Sequence, residues 1–206
     1  MFSRFARFRH VYILCVLALA VVFALTLSLH RAGASQQAPE VAAAPANLSW
    51  QTTIAGPDEP GKRIVISGRV FAADGDTPVE GVIVYGYHTD ATGRYTQTGA
   101  MRPPRLQGWT KTDAQGRFEF RTIRPAAYPG RSIPAHVHFI LWGAGYPRQW
   151  VDELRFEGDP FITSQMLAEA AGAGKFAAVR PLERGADGAL HCTVNFRVQH
   201  VSNFKN

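Results

Sequence analysis

"YPGRSIPAHVHFILW", residues 128–142, decides how this chain folds and what it can bind. Its second half alternates, with Val137, Phe139 and Leu141 apolar at every other position. Successive side chains of a strand leave opposite faces. If the three apolar residues face a core, then His136, His138, Ile140 and Trp142 share the other face. Two imidazoles so placed start about 6–7 Å apart at the backbone, close enough to share one ion. A wet surface strand shows the same pattern by coincidence, so the rest of the chain has to choose. Ser132, also nearby, lacks a placed acid and reads as a loop serine rather than a nucleophile.

Outward from this segment the same period-2 pattern recurs. "RIVISGRVF" (63–71) sets Ile64, Ile66, Gly68 and Val70 against Arg63, Val65, Ser67 and Arg69. "GVIVYGYH" (81–88) follows an Asp74-Gly75 turn, and "GRFEFRTI" (116–123) sets Phe118 and Phe120 against Arg117, Glu119 and Arg121. "DELRFEG" (152–158) and the closing "ALHCTVNFRV" (189–198) complete the set, with one short helix expected over 164–171. Six or more short strands joined by glycine turns predict an all-β, antiparallel β-sandwich. Neither a phosphate-cradling glycine loop nor a Gly-x-Ser-x-Gly elbow is present.

The N-terminus is a separate matter. Arg4, Arg7 and Arg9 precede an apolar run from Val11 to Leu29, and Ala32-Gly33-Ala34 follows as a cleavage pattern. Residues 1–34 therefore read as a signal peptide, or as a signal anchor, since 19 residues nearly span a bilayer. Either reading exports the remainder to the periplasm or outside the cell. Residues 11–29 are then its one membrane segment, if uncleaved. The leader holds four of the 22 Lys and Arg and none of the 16 acidic residues. The remainder carries a net charge of +2, so the basic balance gives no support to a nucleic-acid partner. Cys192 alone remains beyond the leader, which excludes an intrachain disulfide there. Residues 35–60, rich in Ala and Pro, read as linker and lead-in, and 61–206 as the sandwich domain.

Two histidines do not make a metal site, so further donors are needed. Tyr128 stands eight residues before His136, ahead of Pro129, and "DATGRY" ends in Tyr95 after a Gly93 turn. Phenolate is a hard anionic donor whose free pKa lies near about 10, so only a strongly Lewis-acidic ion deprotonates it at neutral pH. Two phenolates with two imidazoles favour Fe(III) over Zn(II).

The order of these pieces carries a resemblance. "VISGRVFAADGDTPVEGVIVYGYHTDATGRY", "TKTDAQGRFEFRTIRPAAYPGR", "PAHVHF" and "LRFEGDP" together resemble the intradiol ring-cleavage dioxygenases, the group of protocatechuate and catechol dioxygenases. The likeness runs from about Ile64 to Pro160, and more faintly through "RGADGALHCTVNFRV". The resemblance implies a non-haem Fe(III) held by Tyr95, Tyr128, His136 and His138. The implied reaction takes a small aromatic diol and O2 to a muconate-type dicarboxylic acid, with Tyr95 as the releasable ligand and base. It implies no organic cofactor and leaves the subunit number open, a homo-oligomer included.

Family members also carry an arginine three residues before the first histidine, to stabilise charge on the substrate. Here that position is Ile133, and Arg131 is either the candidate replacement or a solvated loop arginine, with Arg102, Arg105 and Arg148 next in line. His88, Trp109, Trp142 and Tyr146 either line the pocket or pack, as aromatic residues of a sandwich usually do. Two rivals stay open. One is a non-catalytic sandwich, because "GRVFAADGDTPVEGVIV" with "TKTDAQGRFEF" also resembles carboxypeptidase-regulatory-like and transthyretin-like modules. The other is an iron-binding relative without turnover.

Overall fold

Among the described residues twelve short strands form: β1 (Gln51–Thr53), β2 (Arg63–Phe71), β3 (Ile83–His88), β4 (Leu106–Lys111), β5 (Arg117–Ile123), β6 (His136–Gly143), β7 (Tyr146–Trp150), β8 (Leu154–Phe156), β9 (Val179–Arg180), β10 (Glu183–Arg184), β11 (Leu190–Thr193) and β12 (Phe196–Arg197). The structure is a computed structural model that describes residues 43–98 and 103–200. The expected leader and Arg102 lie outside the described residues. Among the described residues no helix is long and apolar enough to cross a membrane.

The strands form two six-stranded sheets. One runs β1-β5-β2-β11-β10 with β12 also on β2, and the other runs β4-β3-β6-β8-β9 with β7 also on β6. Alternation explains which faces meet. Ile64, Ile66, Val70, Phe118 and Phe120 from the first sheet pack with Val84, Val137, Phe139 and Leu141 from the second, all of them buried. Phe196 locks this layer, stacking on Phe118 with ring centroids 5.3 Å apart and lying 4.9 Å from Phe139.

The all-β sandwich is therefore as expected, but it is not purely antiparallel. The central pairs β2–β5, β3–β4 and β3–β6 are antiparallel. β1 pairs parallel to β5, β11 and β12 pair parallel to β2, and β9 pairs parallel to β8. These strands reach their partners over longer connections, where no tight hairpin fixes direction. β1 also lies inside the expected linker, so part of residues 35–60 belongs to the sheet.

The closing segment, expected as one strand, is broken into β11 and β12. Gly68 of β2 shows why. A Cβ at Gly68 would sit 1.6 Å from the carbonyl oxygen of Val194, so the backbone crosses there at a distance only glycine allows. Val194 N donates to Ser67 O (2.9 Å) and Arg69 N to Asn195 Oδ1 (3.0 Å), which repairs the ladder across the break.

The expected helix is present as α1 (Ser164–Ala173), capped by Thr163, whose hydroxyl accepts from Met166 N at 3.2 Å. It buries no residue, so the sandwich core does not depend on it.

His88 takes the packing alternative. It points between the sheets rather than into a pocket and is fully buried. Its Nδ1 lies 2.7 Å from Thr89 O and its Nε2 2.8 Å from Thr122 Oγ1, so Nδ1 donates and Nε2 accepts. Burial holds this imidazole neutral, with its pKa lowered to about 4.

Candidate metal centre

β6 supplies the fixed half of the site. Val137 and Phe139 are buried at 1% and 0% exposure between the sheets, which drives His136 and His138 to the opposite face of β6. The strand is braced on both sides, by Tyr87 of β3 opposite His138 and by Arg155 of β8 opposite His136. The Tyr87 ring stacks on the His138 imidazole at 4.6 Å. Just before β6, the buried carboxylate of Asp159 accepts from Ala135 N at 3.2 Å and stands 3.7 Å from Arg124.

Loops supply the other half. After β3 the chain turns on Asp90, whose Oδ1 accepts from Thr92 N (2.8 Å), Thr92 Oγ1 (2.7 Å) and Arg94 N (3.1 Å). Gly93 takes φ +80° in this turn, and the turn delivers Tyr95. Tyr128 comes from the loop after β5. The two loops are pinned to each other by Ala126 N to Asp90 O (3.1 Å) and Thr89 Oγ1 to Ala126 O (2.7 Å). Their closest seam is at Gly93, where a Cβ would sit 2.1 Å from Ala127 O.

The four expected ligands are thereby brought together. Tyr95 Oη lies 2.5 Å from Tyr128 Oη and 2.9 Å from His138 Nε2. Tyr128 Oη lies 3.0 Å from His136 Nε2 and 3.4 Å from His138 Nε2, and the two Nε2 atoms are 3.1 Å apart.

Proton counting shows what such a cluster holds. His136 Nδ1 donates to Pro134 O at 2.7 Å, and His138 Nδ1 faces Glu153 Oε1 at 3.1 Å. Those partners assign the ring protons to Nδ1 and leave both Nε2 atoms as bare acceptors. Only the two phenol hydrogens remain to satisfy four converging donor atoms. One cation replacing both protons would satisfy all four, leaving two phenolates and two neutral imidazoles as a doubly anionic donor set. Separations near 3 Å are also what neighbouring ligands show when each lies about 2 Å from a common ion.

Electrostatics point the same way. Burial pushes the Tyr95 hydroxyl well above the usual phenol range, reinforced by its hydrogen bond with Tyr128. Burial also raises Tyr128. Burial lowers His136, which keeps it neutral and available as a ligand. Phenols so disposed to stay protonated would serve as anionic ligands only toward a strongly Lewis-acidic ion, and the donor set is one that would fit Fe(III).

The remaining expected residues are scattered. Arg131 is exposed on a turn closed by Arg131 N to Tyr128 O at 3.2 Å, and its charge weakly favours ionised Tyr128. Arg105 is committed to Glu59 (2.8 Å) and Asp90 (3.7 Å), and Arg148 lies over the Trp142 ring at 5.6 Å. Trp109 packs on Tyr85 at 5.1 Å, and Tyr146 stacks on His200 at 4.6 Å.

Sequence reasoning missed Glu153 and Arg155. His136, His138 and Glu153 hold ligand-type atoms within 4.8 Å of one another. The hydrogen bond from His138 holds the Glu153 carboxyl down at about 2, against the opposing effect of burial. The alternation of "DELRF" was the available signal. It places Leu154 and Phe156 in the core and Glu153 and Arg155 together on the other face.

Comparison with known proteins bears on the family of the chain. Residues 37–200 match the family model Dioxygenase_C, described as a dioxygenase. The protocatechuate 3,4-dioxygenase beta chain of Burkholderia cepacia is 37% identical over 113 residues, 50% of this chain and 48% of that one. A chlorocatechol 1,2-dioxygenase of Rhodococcus opacus is 30% identical over 185 residues, 79% of this chain and 68% of that one. Among relatives matched over shorter stretches, this chain therefore spans about half of their length or less.

Solved structures are similar too. The 3-chlorocatechol 1,2-dioxygenase of Rhodococcus opacus 1CP superposes with TM-score 0.60 at 25% identity, covering 81% of this chain and 71% of that one. The dioxygenase domain of a carbohydrate-binding fusion from Streptomyces sp. SirexAA-E gives 0.57 at 25% identity, covering 80% and 97%. With the family model covering most of its length and the Tyr, Tyr, His, His cluster in place, the chain belongs to the intradiol dioxygenase family.

Proposed function

We propose that this protein is an exported, non-haem Fe(III) intradiol dioxygenase that opens a catechol-type ring between its two hydroxyl-bearing carbons, using O2. The observation that carries the reading is the convergence of Tyr95, Tyr128, His136 and His138 with two protons among four donor atoms. A ferric ion held by Tyr95, Tyr128, His136 and His138 would supply Lewis acidity toward an ortho-diol. Tyr95, borne on a loop, is the proton acceptor for a substrate hydroxyl, and the high proton affinity that burial gives this phenol suits the role. His136 and His138, fixed on β6, keep the opposite side of the site in place. Export rests on the Arg-flanked apolar leader and its Ala32-Gly33-Ala34 pattern.

Residues 35–206, made without the leader, should purify with about one iron per chain and a red-brown colour, and should consume O2 when given a catechol. Oxygen uptake with ring-opened product is the deciding measurement. A colourless protein that holds no iron after ferric reconstitution defeats the reading. A coloured protein that is inert toward catechols is instead the iron-binding relative without turnover.

Arg131 is proposed as the charge donor in place of the arginine absent at position 133. Arg131→Ala should keep iron and colour while lowering turnover roughly 10²-fold, the size of loss seen when one transition-state donor is removed. Unchanged turnover would assign this exposed arginine to solvent.

A further inference from the structure

His138 enters the donor cluster with Nε2 and turns Nδ1 the other way, and that second nitrogen has a partner of its own. Glu153 Oε1 lies 3.1 Å from His138 Nδ1 but 3.9 Å from His136 Nε2. The other carboxylate oxygen, Oε2, accepts from Arg155 Nη2 at 2.8 Å. Arg155 is itself placed by register, opposite His136 across the β6–β8 pair, and its side chain is 24% exposed. Glu153 is thus held at both ends, by an imidazole N–H and by a guanidinium. The chain builds this clamp from Arg155 of β8 and Glu153 just before it, beside the strand that carries the histidines.

An ordinary surface ion pair gains little from such an arrangement. An imidazole that binds an ion through one nitrogen gains a good deal, because a carboxylate on its other N–H fixes the ring and raises its basicity. The two nitrogens of one ring diverge, so a group on Nδ1 acts through His138 rather than alongside it.

We propose that Glu153, clamped by Arg155, is a positioning residue of the metal centre, orienting His138 with Nε2 toward the ion and making that imidazole a stronger donor. Its bearing on iron rests on the ferric reading above. Its bearing on ring orientation holds for any ion the two histidines take.

Two measurements on the full chain separate these. Metal-free protein titrated with Co(II) should bind about 10–100-fold more weakly in Glu153→Ala than in wild type, the range for loss of an outer partner. Thermal unfolding of the metal-free variant should match wild type. Iron-loaded Glu153→Gln keeps a hydrogen-bond acceptor but loses the charge. It should hold a full complement of iron, with its phenolate-to-iron absorption moved to longer wavelength. The proposal is overturned if Glu153→Ala binds Co(II) as wild type does, or if the Glu153→Gln band is unmoved. It is equally overturned if Glu153→Gln loses the metal outright, which would make the carboxylate a ligand. Failure of the ferric reading looks different: wild type itself then shows no such band, and the Co(II) titration still decides the role of Glu153.

Discussion

His138→Ala should abolish iron binding and ring opening together, while Val137→Ala, one residue away, should leave both in place. The contrast follows from the two faces of β6. His138 Nε2 lies within 3.4 Å of three other donor atoms, from Tyr95, Tyr128 and His136. Removing it deletes a ligand and unsatisfies the rest, so affinity should drop by more than the 10–100-fold of an outer-partner loss. His136→Ala should behave alike. Val137, at 1% exposure, packs between the sheets, and its truncation should cost about 1–3 kcal/mol of stability. Iron per chain, catechol turnover and a denaturant midpoint distinguish the two effects. If Val137→Ala lost the iron and His138→Ala kept it, the strand would present the opposite face to the metal.

The second large effect is expected at Gly93, which touches no metal ligand. Its φ of +80° is costly for alanine by roughly 1–2 kcal/mol, and an added Cβ would stand 2.1 Å from Ala127 O. The chain can relieve that contact only by separating the Tyr95 loop from the Tyr128 loop. Gly93→Ala should therefore purify folded, with a β-type circular dichroism spectrum, yet with little colour and substoichiometric iron. Wild-type colour and iron in this variant would show that the seam does not govern where the phenols stand.

The sandwich and the histidine pair were legible in the sequence because both are local patterns, whereas Tyr95 and Tyr128 stood out only through the family resemblance. Period-2 alternation fixes which side of β6 is apolar, and Val137, Phe139 and Leu141 leave His136 and His138 one face to occupy. Pairing between distant strands is not a local pattern. Nothing in "DELRFEG" says that it lies beside β6, so Glu153 and Arg155 read as ordinary strand charges. His88 stayed ambiguous for a related reason: in a buried strand a histidine satisfied by Thr122 looks like one that lines a pocket. The break between β11 and β12 was hidden because the alternation continues through Val194 and Asn195. What stops the strand there is the close backbone approach at Gly68, seen only once the sheet is assembled.

The centre is built from two kinds of scaffold, and this bears on how it can diversify. Its histidines belong to a strand at the middle of a sheet, so any change that moves them disturbs the whole core. Its tyrosines hang from two loops docked chiefly on each other, through Asp90, Gly93, Ala126 and Ala127. Loops tolerate substitution and insertion where core strands do not. Changes in the turn around Gly93 and Tyr95 and in the stretch around Gly130 can therefore reshape that side of the site, with the imidazole pair left untouched. One wall of the site is inherited with the fold, while the other is free to vary as long as the seam at Gly93 holds.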